Sequence, residues 1–227
     1  DALRLKPEKD TDLKTWREFV DNTKTKTPEV KIGIVGKYFD TGDFVLSDAY
    51  LSVIEAIKFS AAALKAKPVI EWVNAKDIEK SGDASVLAKY DGIIVPGGFG
   101  ETGIEGKIKT AEYCRTNKLP YFGLCYGLHM LVIEYARNIL GLSGAHTVEI
   151  NPDTKYPVID VMPDQKQLIK EGKYGGTMRL GVYTANLKEG SVAQESYGAD
   201  EVKERHRHRY EVNPEYVQQF IDKGLVF

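Results

Sequence analysis

Cys125 lies in the segment Pro120-Tyr-Phe-Gly-Leu-Cys-Tyr-Gly-Leu128, with Gly123 and Gly127 two residues to either side. The G-x-C-x-G spacing is the thiol counterpart of the G-x-S-x-G elbow, in which a tight strand-to-helix turn lifts a nucleophile above a sheet. Glycine at both positions supplies the cramped geometry and the access. A thiol so placed also heads a helix, where unpaired N–H groups and the dipole favour thiolate, so the spacing predicts a pKa below the free value of about 8.5. On this motif alone a second reading stays open, that Cys125 is a small buried apolar residue, as most free cysteines are. Upstream, Pro96-Gly-Gly-Phe-Gly100 closes an apolar run with three glycines. Backbone N–H groups freed in this way can face a ligand, as an oxyanion site requires, although a plain flexible loop has the same composition.

The elements that must position these groups follow from the apolar pattern. Val30-Lys-Ile-Gly-Ile-Val35, Val69-Ile-Glu-Trp-Val73, Asp91-Gly-Ile-Ile-Val95 and Tyr121-Phe-Gly-Leu124 read as buried strands. Gly36-Lys37 after the first of them is an ordinary strand exit, because the phosphate-loop pattern G-x-x-x-x-G-K-[ST] is absent. Leu51, Ile54, Ile57, Ala61 and Leu64 recur at helical spacing and predict a helix over 47–65 with its apolar stripe on a sheet. Residues 103–117 and 126–139 read as further helices, and the stretch near 77–89 as a polar helix or loop. Such alternation with short links implies an α/β fold, a mostly parallel central sheet with helices on both faces. Ligands of such sheets bind beyond the carboxyl ends of the strands, where both Pro96–Gly100 and Cys125 fall. From Gly141 onward the pattern changes to short strands and turns, with Val158–Met162, Gly175–Gly181, Val182–Ala185 and Glu204–Asn213 as candidates.

Composition excludes more than it suggests. The 227 residues carry 31 Lys and Arg against 33 Asp and Glu, a formal net charge of -2, so the balance points neither to nucleic acid nor to an anionic membrane. Two cysteines make no disulfide framework, and no apolar run is long enough to span a bilayer, which predicts a reducing cytoplasm. Cys114 sits in a helical stretch and reads as packing. The basic run Arg205-His-Arg-His-Arg209 lacks interleaved aromatics and reads as a strand with one exposed face.

Several long strings resemble the glutaminase domains of CTP synthases, which are class I glutamine amidotransferases. They are Gly33-Ile-Val-Gly-Lys-Tyr38, Asp48-Ala-Tyr-Leu-Ser-Val-Ile-Glu-Ala56, Val95–Gly100, Ala136-Arg-Asn-Ile-Leu-Gly141, Met162-Pro-Asp-Gln165, Gly175-Gly-Thr-Met-Arg-Leu-Gly181 and Arg205–Asn213. The resemblance implies an inter-domain linker with a short helix over 1–29 and a glutaminase domain over 30–227. It implies that Cys125 attacks the side-chain amide of L-glutamine, forming a thioester that water resolves to glutamate while ammonia goes to an amidoligase domain that aminates UTP. Gly97, Gly98 and Tyr126 then fall where backbone groups hold the substrate or its oxyanion, Glu149 where a carboxylate meets its ammonium, and Arg209 where a cation meets its carboxylate. No cofactor is implied for this domain. ATP and Mg²⁺ belong to the amidoligase half, which this chain lacks and through which the resemblance implies a homo-oligomer.

The match departs in two places. Family members complete the site with a late His-x-Glu pair, which none of the four histidines forms here. The expectation is a truncated chain ending at Phe227, with a non-catalytic docking domain as the alternative. His129, one helical turn beyond Cys125, replaces the family's usual glutamine and reads as a substrate-contact position before it reads as a base. His206 and His208 read as structural or substrate-positioning groups, and His146 has no motif support.

Overall fold

A computed structural model describes residues 12–24, 28–36, 50–98, 100–162, 165, 171 and 179–227. At its centre β1 (Glu29–Gly36), β2 (Lys67–Asn74), β3 (Gly92–Val95) and β4 (Tyr121–Gly123) form an all-parallel sheet in the order β2-β1-β3-β4. These are the four expected strands, and their apolar runs suit a sheet covered on both faces. Val35, Val73, Ile93 and Val95 point to one face and form a core with Ile78 and Cys114. That side is covered by α3 (Ala75–Ser81), a 3₁₀ turn at Ser85–Lys89 and α4 (Ile104–Asn117). The stretch expected to be a polar helix or loop is thus two short helical pieces, anchored by the buried Ile78 and Leu87. On the opposite face, Ile32, Ile94 and Phe122 meet α2 (Leu51–Ala63). Cover is thinner there, for an apolar hollow of about 510 Å³ remains and Phe122 on the edge strand is 61% exposed. The expected start of α2 at Ser47 lies outside the described residues. Ahead of the sheet, α1 (Lys14–Thr23) sets Phe19 against Phe59 of α2, ring centroids 5.4 Å apart.

Next to β4 in sequence, α5 (Tyr126–Asn138) joins this sheet to a second one. Its Met130 and Ile133 share a core with Ile104 and Ile108 of α4 and with Val158 and Ile159. The second sheet is mixed: β5 (His146–Thr147) runs parallel to β6 (Pro157–Val161), which pairs antiparallel with β9 (Tyr210–Val212). A separate antiparallel ribbon consists of β7 (Arg179–Asn186) and β8 (Glu201–His208), joined through α6 (Val192–Tyr197). The basic run does form a strand with one exposed face, Arg205 and Arg207 outward, His206 and His208 half-buried. Of the expected strand Gly175–Gly181, residues 175–178 lie outside the described residues. An element not anticipated is α7 (Pro214–Asp222), where the Asn213 side chain accepts from the Glu215 N–H, Pro214 opens the first turn and Phe220 is buried. Asn-Pro-Glu is a helix-start signal that the strand reading of the preceding run obscured. Among the described residues no helix is long and apolar enough to cross a membrane.

Candidate active site

The elbow is built from backbone contacts. Val95 of β3 pairs with Gly123 of β4, and Leu124 N–H donates to the Val95 carbonyl at 2.9 Å, so the two strands end together. The chain then reverses at Cys125, whose φ of 52° and ψ of -105° are unusual for any residue but glycine. Its carbonyl starts α5, accepting from Leu128 N–H at 3.0 Å and His129 N–H at 3.2 Å. Both glycines of the motif are required: a Cβ on Gly123 would lie 2.6 Å from the Gly127 carbonyl carbon, and one on Gly127 would overlap the Val95 carbonyl oxygen. The Tyr121 hydroxyl donates to the Gly127 carbonyl at 2.7 Å and braces the turn from the strand side.

The glycine loop after β3 lies against this turn. A Cβ on Gly97 would sit 3.5 Å from the Cys125 Cβ, which is ordinary contact distance, so loop and nucleophile position face each other directly. Tyr126 is buried, and its hydroxyl donates to the Gly100 carbonyl at 3.0 Å, tying the far end of the loop to α5. Burial, helped by Glu149 and Glu101, pushes this phenol well above its ordinary value, so it stays protonated. Phe99 of the expected loop lies outside the described residues.

Electrostatics correct one expectation. The Cys125 thiol is raised above its ordinary pKa, first by burial, with the Tyr126 backbone N–H pulling it down and the charge of Glu149 pushing it up. The helix start does contribute the amide foreseen from the sequence, but desolvation outweighs it. The residue nonetheless remains exposed, at the wall of a cavity of about 950 Å³ that His129, His206, His208, Tyr210 and Glu211 also line. His129 is held down to about 4 by burial and by the positive field of His208, against a hydrogen bond with the Tyr210 backbone. At neutral pH it is an uncharged imidazole whose Nδ1 has no hydrogen-bond partner among the described residues, suited to accept or donate a bond and poorly suited to carry a proton.

Glu149, on the turn after β5, faces both Cys125 and Tyr126 closely enough to raise each. Arg209, in the link between β8 and β9, hydrogen-bonds the Tyr210 phenol, while its buried Nε has no partner among the described residues. Tyr210 is raised first by burial, further by Glu149, and lowered by Arg209, so it stands between the two charges expected for a zwitterion. Arg209 itself is not among the residues that line the large cavity. His206 and His208, read from the sequence as structural or substrate-positioning groups, also meet here, together with Glu211, which had no role. His206 Nδ1 and His208 Nε2 share a 2.7 Å hydrogen bond, and His208 Nδ1 lies 3.3 Å from the Glu211 carboxylate. The alternation of a strand puts His206 and His208 on one face, so their contact follows from the spacing of two, and Glu211 lies three residues beyond His208. Among the described residues no group of three or more His, Cys, Asp or Glu is placed to hold a metal ion.

A thiol on a strained strand-to-helix turn at the carboxyl edge of a parallel sheet, backed by a glycine loop, defines an α/β protein with the backbone of a nucleophile elbow and a cysteine at its tip. A family model described as glutamine amidotransferase class-I matches residues 45–227, and the chain belongs to that family. It is 49% identical over 221 residues to a CTP synthase of Thermococcus kodakarensis, covering 97% of this chain and 40% of the relative. A CTP synthase of Bacillus velezensis is 47% identical over 219 residues, covering 96% of this chain and 39% of the relative. The chain therefore spans about 40% of the length of the curated relatives it matches. Among solved structures, the glutaminase domain of Trypanosoma brucei CTPS with bound acivicin superposes with a TM-score of 0.76 at 34% identity, covering 87% of this chain and 73% of that one.

Proposed function

We propose that this chain is the glutaminase part of a CTP synthase, releasing ammonia from L-glutamine for the ATP-dependent amination of UTP elsewhere in the enzyme. The observation that carries the reading is Cys125 at φ 52° between two glycines whose backbones admit no side chain, with Gly97 against it. In the proposed reaction the Cys125 sulfur bonds to the glutamine side-chain carbonyl carbon, and the carbonyl electron pair moves to oxygen near the backbones of Gly98 and Tyr126. The carbonyl then re-forms as the C–N bond breaks, and the nitrogen leaves as ammonia carrying the proton that the thiol gave up. Water attacks the thioester, giving glutamate and restoring the thiol. Glu149 faces the substrate ammonium and Arg209 its carboxylate, a pairing supported by the Arg209 Nε, which has no partner among the described residues. His129 contacts substrate and is not the base, because its depressed pKa leaves it little affinity for a proton at neutral pH. The proton-handling His-x-Glu pair of the family does not occur in these 227 residues.

The proposal is tested by incubating the protein with diazo-oxo-norleucine or acivicin and measuring intact mass and modified peptide. A single adduct on Cys125 is expected, and none on that residue overturns the assignment. Glutamate release, followed in parallel, separates the halves of the cycle. An adduct without turnover marks a competent nucleophile that needs the missing acid-base pair.

A further inference from the structure

Lys107 is a buried charge that the reading above does not use. It is the fourth residue of α4 and only 1% exposed, although lysine is almost never fully buried. A cation in the first turn also opposes the helix dipole, so its position runs against both burial and local electrostatics. Packing leaves the side chain little choice of direction. Gly106 beside it is pressed so close to the Ala75 carbonyl of α3 that a Cβ there would overlap it, and Ile104 and Ile108 are locked in the core. The Lys107 ammonium lies 5.1 Å from the centre of the Tyr126 ring and 3.8 Å from where a Cβ on Gly98 would stand. It therefore sits beside the glycine loop at Gly98 and against the ring of Tyr126, the two residues whose backbones are proposed to receive the oxyanion.

We infer that Lys107 is a positioning residue for the oxyanion side of this site, its fixed positive charge behind Gly98 and Tyr126 favouring the anion that forms when Cys125 adds to a carbonyl. The inference rests on the reading of Cys125 as the nucleophile. Lys107 transfers no proton and touches no reacting atom. It acts through a charge that is in place before the reaction begins, which is the economical way to stabilise a developing anion.

Two electrophiles separate this role from ordinary packing. A chloroketone analogue of glutamine places a carbonyl oxygen in the oxyanion position, whereas iodoacetamide alkylates the thiol by displacement and builds no oxyanion. Second-order rates of Cys125 modification are measured for both reagents in the wild type and K107M, at several neutral and alkaline pH values. The chloroketone rate is expected to fall about tenfold in K107M, with iodoacetamide changed by no more than about twofold. A parallel fall in both rates makes Lys107 a packing residue and overturns the inference, as does no fall in either. Should K107M fail to melt cooperatively, the same ratio of rates is read in K107Q. Failure of the wild type to react with the chloroketone instead strikes at the nucleophile assignment.

Discussion

Cys114 and Cys125 carry the same side chain, one within α4 and one just ahead of α5, and their surroundings differ in backbone, burial and neighbours. Cys114 lies inside α4 with regular backbone, 1% exposed, packed beneath the parallel sheet with Ile93 and Val95, and burial alone pushes its pKa up to about 12. Cys125 lies just before α5 at a left-handed φ, exposed at a cavity wall, with a backbone N–H partly offsetting its own desolvation. Reactivity here is decided by where the backbone turns. Eleven residues along the chain convert a packing atom into a candidate nucleophile.

The comparison breaks most completely in a labelling experiment. C125A is expected to lose all incorporation of a glutamine-mimicking electrophile and C114A none, as read by mass. Incorporation that survives in C125A would place the reactive group elsewhere. Next in size is G127A, whose Cβ overlaps the Val95 carbonyl. Neither backbone can yield without breaking the β3–α5 junction, so a loss of about 4 kcal/mol or more in denaturant midpoint stability is expected. G141A is the control: Gly141 has a φ of 72° with open space around it, and only the backbone strain of about 1–2 kcal/mol applies. A smaller effect, about 1–2 kcal/mol, is expected for C114A, a small cavity beneath the sheet with no change in labelling.

The mildest test addresses the thiol's charge. Because burial and Glu149 raise the Cys125 pKa, the rate of iodoacetamide alkylation should climb with pH to a midpoint above the ordinary value of about 8.5. E149Q removes the negative neighbour, moves the midpoint down, and speeds alkylation at neutral pH by about threefold. A midpoint below the ordinary value in the wild type would restore the helix-dipole expectation.

What could be read in advance divides along the same line. Gly123 records a contact with Gly127 four residues on, and the two glycines flank the cysteine symmetrically, so the elbow was visible in the spacing although the Val95 carbonyl that excludes a side chain at Gly127 was not. The apolar runs of β1 to β4 gave the strands for a similarly local reason. The electrostatics were hidden because they come from distant segments. Glu149 reaches Cys125 from the turn after β5, and His208 reaches His129 from β8. Pairing of β6 with β9 joins strands about fifty residues apart, beyond any periodicity. The helix α7 was a different kind of miss, since Asn213, Pro214 and Glu215 carried its start in plain view. Family likeness supplied Glu149 and Arg209, which as isolated charges would have read as surface.

The hydroxyl of Tyr126 on the Gly100 carbonyl makes the residue after Cys125 a pin between the glycine loop and α5. Any swing of the glycine loop to admit a substrate must either snap that link or carry the first turn of α5 along with it. Entry and alignment then become a single mechanical event, and amide exchange at the loop should report the posture of the sulfur.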